Sequence, residues 1–252
     1  MKGALRGLGR LLALLALSSL ALQLCFAARI ALMAVVDPQS TSFQRSEVWR
    51  LLTQTGRIVW SQQWLPYGRI SNHLKRAVIA SEDAAFADHA GIDWDALEKA
   101  WERNQQAAER EARLAARPAR PMASTARKGP KIVGGSTITQ QLAKNLFLSG
   151  ERQIARKAQE AAITLMLEAL LSKQRILEIY LNNVEWGEGL FGAEAASRHY
   201  FHVGAAQLTP HASARLAVML PAPKRFEKRP GSAYVVGRAA TIVARMGDVE
   251  AP

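Results

Sequence analysis

Apolar residues recur along the chain with the period of α-helices, except in one stretch that is apolar throughout. Residues 11–28 read LLALLALSSLALQLCFAA and carry no charge. As a helix they would span about 27 Å, close to the thickness of the hydrocarbon core of a bilayer. Because Lys2, Arg6 and Arg10 precede the stretch, the positive-inside rule predicts that the N-terminus faces the cytoplasm and that the remainder is exported.

Two interpretations of this apolar stretch remain open. The apolar run resumes after Arg29 and continues to Val36, which favours an uncleaved membrane anchor over residues 1–36. Residues 26–28 (FAA) would instead suit the end of a cleaved signal peptide. Cys25 is the only cysteine, so the chain has no disulfide framework.

Residues 37–252 are predicted to form one mainly α-helical domain, because strand-like alternation is rare. Over residues 72–87 one helix face collects four side chains at i+4 spacing: Leu74, Val78, Glu82 and Phe86. Asp93 is positioned to cap a second helix, and Thr137-x-x-Gln140 is a capping box that opens a third. Further helices are expected over residues 151–171, 173–181 and 235–246.

Residues 104–131 interrupt this pattern with a basic insert rich in alanine and proline. Its first part can continue the preceding helix to about Ala116, and the rest is expected to be mobile because it lacks apolar periodicity. Residues 103–131 hold eight basic and two acidic residues, which supply half of the formal net charge of +12. This balance favours anionic partners such as phospholipid or a diphosphate. No zinc-finger or RNA-recognition motif is present, so nucleic acid is not an expected partner.

Glu82 is the first candidate for chemistry. It shares a helix face with apolar residues, so burial should raise the pKa of its carboxyl towards the working pH of a general base or acid. A glutamate at the edge of a helix, paired with a base such as Lys75, would show the same spacing. Periodicity therefore leaves both roles open.

Glu160 is the second candidate. Arg152, Arg156 and Glu160 follow one another at i, i+4 and i+8, so they would share one helix face. On such a face the arginines could hold a phosphate oxygen while the glutamate orients them. A solvated charged face would have the same spacing.

The segment STITQQLAKN at residues 136–145 combines a helix start with amide and lysine side chains. Gln140 and Lys144 form one i,i+4 polar pair, and Gln141 and Asn145 form another. Unpaired N–H groups at a helix start favour an anion, and amides suit sugar hydroxyls. An ordinary amphipathic helix is the alternative. The chain contains no Ser-x-x-Lys, which argues against a penicillin-binding transpeptidase site.

Ordered blocks over residues 64–235 resemble the peptidoglycan glycosyltransferase family. They read WLPYGRIS, AVIASEDAAFADHAGID, GGSTITQQLAKNLFLSGER, RKAQE, RILEIYLNNVEWGEGLFGAEAASRHYF and LPAPKRF. The resemblance implies a lysozyme-like, mainly α-helical glycosyltransferase domain behind an N-terminal transmembrane helix. Because the chain ends soon after the last block, it is more similar to the monofunctional members than to the bifunctional penicillin-binding proteins.

The resemblance implies that lipid II is polymerised into β(1→4) glycan strands, with release of undecaprenyl diphosphate, in the periplasm at the bacterial inner membrane. Glu82 matches the general base of the family, and Glu160 matches a second glutamate on the diphosphate side. The implied substrate-binding residues are Phe86, Ser136, Gln140, Gln141, Lys144, Arg152 and Arg156. The implied partners are lipid II, the growing strand, membrane lipids, and cell-wall synthesis or division proteins. No metal ligand is assigned, and a divalent cation (Mg²⁺ or Mn²⁺) at the diphosphate is left open.

Two departures from the family pattern accompany the resemblance. The insert at 104–131 is longer than expected, and position 159 is Gln where relatives can carry Lys, so one phosphate contact is expected to be missing. Two rival functions also remain. A lytic muramidase would share the fold but use water as its nucleophile, and the TITQQ and RKxxE blocks argue against it. A non-catalytic membrane scaffold would need neither glutamate.

Overall fold

The protein was analysed as a computed structural model that describes residues 2–115, 135–148 and 154–252. The described residues form eleven α-helices: α1 (Lys2–Leu32), α2 (Ser42–Thr55), α3 (Asn72–Glu82), α4 (Trp94–Ala115), α5 (Ile138–Phe147), α6 (Ile154–Leu170), α7 (Lys173–Asn183), α8 (Ala193–Phe201), α9 (Pro210–Met219), α10 (Pro223–Phe226) and α11 (Ala233–Arg245). Three short strands accompany them: β1 (Ser61–Gln62), β2 (Glu185–Gly187) and β3 (Leu190–Phe191). The predicted fold class, mainly α-helical with an N-terminal apolar helix, is confirmed.

Helix α1 joins the apolar segment to the domain without a break. Its Arg6–Leu32 part is long and apolar enough to cross a membrane, so it fits a single-pass anchor. The end of the helix is built into the core, where Ile30 is fully buried. Arg175 of α7 holds this end, because its Nε donates to the carbonyl of Met33 at 2.8 Å and its Nη2 pairs with Asp37 at 2.7 Å.

Helix α3 lies at the centre of the domain and packs against α9 and α11. Its apolar face is fully buried through Leu74 and Val78, as the spacing predicts. The helix ends at Glu82, however, and not at Ala87 as predicted. Asp83 leaves the helical conformation and its Oδ2 accepts the N–H of Ile138 at 3.0 Å, at the start of α5. A contact with a distant part of the chain therefore ends the helix.

Residues 185–191, which include Gly187 and Gly189, form the β2–β3 hairpin. Strand β3 lies between β2, its antiparallel neighbour, and β1, which runs parallel to it. Gly189 has a φ of +68°, and a Cβ there would lie 1.9 Å from the carbonyl oxygen of Val59. Only glycine therefore lets β1 approach closely enough for Ser61 to donate to the Gly189 carbonyl at 2.9 Å.

Helix α4 carries the first part of the basic insert, since it continues to Ala115 as expected. Its start is also as predicted, because Asp93 Oδ1 accepts the N–H of Ala96 at 2.8 Å. The part of the insert expected to be mobile, from residue 116 onwards, lies outside the described residues, and so does Arg152.

Candidate active site

An open cleft of about 550 Å³ lies where α3 ends, beside α4 and the start of α5. Glu82 and Ser136, both predicted to belong to the site, line it together. Other polar side chains of the lining were not predicted: Asp83, Asp93 and Asp95, with the basic Lys99, Arg103 and Arg245. The cleft thus combines one candidate base with several cationic side chains.

Glu82 is the last residue of α3 and is partly buried. Burial raises the pKa of its carboxyl above the ordinary value of 4.5, as the helix face predicts, and hydrogen bonds from Gln141 and Ser81 oppose this rise. Gln141 Nε2 donates to Glu82 Oε2 at 3.0 Å. The charge of Asp83 adds a smaller upward effect on this pKa. The result is a carboxylate that gains a proton more readily than an exposed one.

Asp83 is buried and fully engaged in structural hydrogen bonds. Its Oδ2 is the acceptor for Ile138, and its Oδ1 lies 2.8 Å from His89 Nε2. His89 Nδ1 in turn accepts the N–H of Gly91 at 3.0 Å, which leaves Nε2 as the protonated nitrogen that donates to Asp83. Asp83 therefore joins α3 to α5, and both of its carboxylate oxygens are used for this contact and for His89.

Among the described residues, one group of acidic and imidazole side chains lies close enough together to hold a metal ion. Ligand atoms of Asp83, His89 and Asp93 lie within 4.8 Å of one another. Both His89 nitrogens are already used, and Asp93 Oδ1 caps α4. A divalent cation needs several free oxygen ligands, so this donor set does not fit the Mg²⁺ or Mn²⁺ that the resemblance left open.

The two neighbouring glutamines of α5 make different contacts. Gln140 is buried and completes the predicted capping box, in which its Oε1 accepts the N–H of Thr137 and Thr137 Oγ1 accepts the N–H of Gln140, both at 3.1 Å. Its side-chain oxygen thus holds the helix start, and the expectation that Gln140 binds substrate stays a prediction. Gln141 contacts Glu82 and also accepts a hydrogen bond at 3.0 Å from the hydroxyl of Tyr180.

Glu160 lies in a cationic cluster on α6 and α5. It is 4% exposed, accepts a hydrogen bond from Arg156 Nη1 at 3.1 Å and pairs with Lys157. Lys144 reaches the surface, yet the protein atoms around its ammonium lower its pKa, an effect that the nearby Glu160 opposes. The structure therefore brings together Lys144, Arg156 and Glu160, as predicted, and adds Lys157.

One guanidinium N–H of Arg156 donates to no acceptor among the described residues. Its Nε is buried and has no hydrogen-bond partner in the part of the chain that the structure describes. An orphaned buried donor of this kind is unfavourable unless a ligand satisfies it.

Phe86 does not line the cleft. It is fully buried, its ring lies edge-on to His89, and the ammonium of Lys173 lies 4.5 Å from the ring centroid. Phe86 therefore packs in the core, because α3 ends before it and the chain turns inward. That Phe86 binds substrate stays a prediction, which this packing does not support.

Two residues that sequence reasoning missed differ in how they could have been found. Lys157 stands three residues before Glu160, and i,i+3 spacing on a helix would have identified the pair. Tyr180 is 39 residues from Gln141, and no local spacing relates the two.

Comparison with known proteins decides the family. The family model described as Transglycosylase matches residues 50–113 and 115–247. The chain belongs to the transglycosylase family. The resemblance drawn from the sequence blocks is thereby confirmed.

The relatives of this transglycosylase match it over nearly its whole length. The Biosynthetic peptidoglycan transglycosylase of Herminiimonas arsenicoxydans is 49% identical over 233 residues, which cover 92% of each chain. Its namesake from Janthinobacterium sp. (strain Marseille) is 48% identical with the same coverage. That of Paraburkholderia xenovorans (strain LB400) is 47% identical over 250 residues, or 99% of this chain and 95% of the relative.

Proposed function

We propose that this transglycosylase is a peptidoglycan glycosyltransferase that polymerises lipid II into β(1→4) glycan strands. The observation that carries the proposal is the environment of Glu82, a carboxylate of raised pKa held in an open cleft by an amide donor. The names of the relatives support the same activity. Gln141 and Lys144 are one turn apart on α5, so this helix connects the base to the cationic cluster around Glu160.

Glu82 acts as the general base of the proposed reaction. It takes the proton of the 4-hydroxyl of the acceptor's N-acetylglucosamine as that oxygen attacks C1 of the donor's N-acetylmuramic acid. The bond from C1 to the diphosphate oxygen breaks, undecaprenyl diphosphate leaves with the electron pair, and the α-linkage inverts to β. An alcohol is a weak nucleophile, so a base whose pKa lies nearer to neutrality assists the attack.

The cluster around Glu160 stabilises the leaving diphosphate. Glu160 orients Arg156 and Lys157 by direct ion pairs, and Lys144 adds a third cation. Fixed positive charge at the point where negative charge develops is the usual means of stabilising such a transition state. Glu160 thus acts on the diphosphate side through the cations it holds.

In this proposal the reaction takes place at the inner membrane, and the apolar α1, which fits a single-pass anchor, supports this. Lys2, Arg6 and Arg10 keep the N-terminus in the cytoplasm, so the domain lies on the periplasmic side. There it meets lipid II, the growing strand and the membrane lipids, within reach of cell-wall synthesis or division proteins.

One assay tests the proposal directly. The purified full-length protein is incubated with labelled lipid II, and the products are separated by size. We expect the wild type to form polymer and Glu82→Gln to lose most of this activity. Asp88→Asn, which changes an exposed acid on the neighbouring turn, should form as much polymer as the wild type. No polymer from the wild type, or solubilisation of finished cell wall by it, would overturn the proposal in favour of a scaffold or a muramidase.

A further inference from the structure

A three-residue hydrogen-bond chain runs from the core of the domain to Glu82. The hydroxyl of Tyr180 on α7 donates to Gln141 Oε1 at 3.0 Å, and Gln141 Nε2 donates to Glu82 Oε2, also at 3.0 Å. Tyr180 is 1% exposed, so its hydroxyl has no access to bulk water. Neither the transglycosylase match nor the resemblance assigns a role to this tyrosine.

The chemistry of the chain gives it a direction. The amide of Gln141 can present either its oxygen or its nitrogen to a neighbour, and the two ends differ in hydrogen-bonding sense. Burial raises the pKa of Tyr180 well above 10.0, and the charges of Glu82 and Asp83 add to this, so the hydroxyl remains a donor. The ionised Glu82 carboxylate can only accept, so the nitrogen end of the amide faces it. The oxygen end then faces Tyr180, whose hydroxyl donates to it and fixes the Gln141 side chain.

We propose that Tyr180 is a positioning residue for the general base, which it orients by locking the Gln141 amide with its nitrogen towards Glu82 Oε2. One oxygen of the carboxylate is thereby held, and Oε1, which has only the long 3.5 Å contact with the Ser81 hydroxyl, is left to the substrate hydroxyl. The inference rests on the proposed function of Glu82 as a base. Tyr180 itself touches no substrate, since it is buried behind Gln141.

The hydrogen bond that Gln141 donates should lower the pKa of Glu82. A hydrogen bond donated to a carboxylate favours its ionised form, so loss of a well-oriented donor raises the pKa of Glu82. The other charged groups that face Glu82 come from the end of α3, from α4 and from α11, and they are Asp83, Asp93, Asp95, Lys99, Arg103 and Arg245. None of them contacts the Tyr180 hydroxyl by a hydrogen bond in the described residues, so removing that hydroxyl leaves their charges in place.

The test is the pH dependence of polymerisation by full-length Tyr180→Phe with labelled lipid II. The rising limb of kcat against pH should move up by about one pH unit. The kcat at neutral pH should fall about tenfold, with KM unchanged. Tyr200→Phe is the matched control, since it removes a hydroxyl that donates to the Trp186 carbonyl at 2.8 Å elsewhere in the domain. Its pH profile should be that of the wild type.

A second measurement keeps the inference independent of turnover. Infrared difference spectra across a pH titration, with Glu82→Gln as the blank, report the protonation of the Glu82 carboxyl directly. Its midpoint should rise in Tyr180→Phe and in Gln141→Met, and should rise no further when the two changes are combined. An unshifted midpoint and profile in Tyr180→Phe would overturn the role of Tyr180, whereas a wild type that makes no polymer would overturn the proposed function itself.

Discussion

Gln23 of the anchor helix and Gln159 of α6 exchange two amide hydrogen bonds, with nitrogen-to-oxygen distances of 2.8 and 3.0 Å. Gln159 is the position at which the sequence led us to expect a missing phosphate contact. In the structure its side chain is turned to the anchor instead, directly beside Glu160 in sequence. Phe26 and Phe147 pack edge-to-face next to this contact, with ring centroids 5.3 Å apart. The helix that carries the second glutamate is therefore fastened to the anchor.

Breaking one side of this amide pair should cost more than removing both sides. We expect Gln23→Leu or Gln159→Leu alone to lower the free energy of unfolding by about 1–2 kcal/mol, because each leaves an amide unpaired. The double variant should be less destabilised than either single variant, because it leaves no amide unpaired. Thermal unfolding in detergent measures this, with Gln105→Leu on the exposed face of α4 as control. Simple additivity would show that the pair contributes no coupling.

Replacing Glu160 by Gln should lower turnover by about 100-fold while the protein stays folded. The amide keeps the shape of the side chain but no longer aligns Arg156 and Lys157 by charge. Rates with labelled lipid II and a thermal melt are the measurements. Glu98→Gln, an exposed acid on α4, should have wild-type rates. Equal rates in the two variants would reduce Glu160 to an ordinary ion pair.

The wild-type rate should rise with pH through the pKa of Glu82, which burial places above its ordinary value of 4.5. The ionised form is the active base, so activity is lost as pH falls through that pKa. In Glu82→Gln the limb should vanish and polymer formation should fall by about 10²–10⁴-fold. A rising limb that survives in this variant would assign it to another group.

Glu185→Gln should stabilise the protein at alkaline pH. Glu185 is 6% exposed, and burial raises its pKa from 4.5 to about 7, although Lys224 lies 3.5 Å away. The folded state therefore binds a proton that the unfolded chain has already lost, and stability falls as pH rises between these two values.

The charged Glu185 is unfavourable above pH 7, so the amide variant should gain about 1–3 kcal/mol there. The gain should disappear below pH 4.5, where both states are protonated. Unfolding curves of the wild type and Glu185→Gln at pH 4 and pH 8 measure this difference in the free energy of unfolding. A gain of the same size at both pH values would point to packing and not to charge.

Local spacing predicted the two glutamates because helical periodicity is a property of neighbouring residues. It failed for Phe86 because α3 is ended by the bond from Asp83 to Ile138, 55 residues further along the chain. The pattern also could not rank Gln140 against Gln141. The capping box engages the first, and only the folded chain shows that Glu82 and Tyr180 engage the second. Contacts of this kind depend on tertiary packing, which no single-sequence period encodes.

The unbroken α1 also determines how the enzyme and its substrate meet. Its 31 residues extend for about 46 Å, longer than the roughly 30 Å hydrocarbon core. One face of the excess packs against the domain through Gln23, Phe26 and Ile30, so this part is not a free linker. A flexible tether would let the domain sample a volume of water. A continuous helix packed against the domain keeps the cleft at a fixed distance from the membrane surface, with the same side of the domain always towards the lipid. A substrate that diffuses within the bilayer then searches an area instead of a volume, and it always arrives with its headgroup in the same orientation.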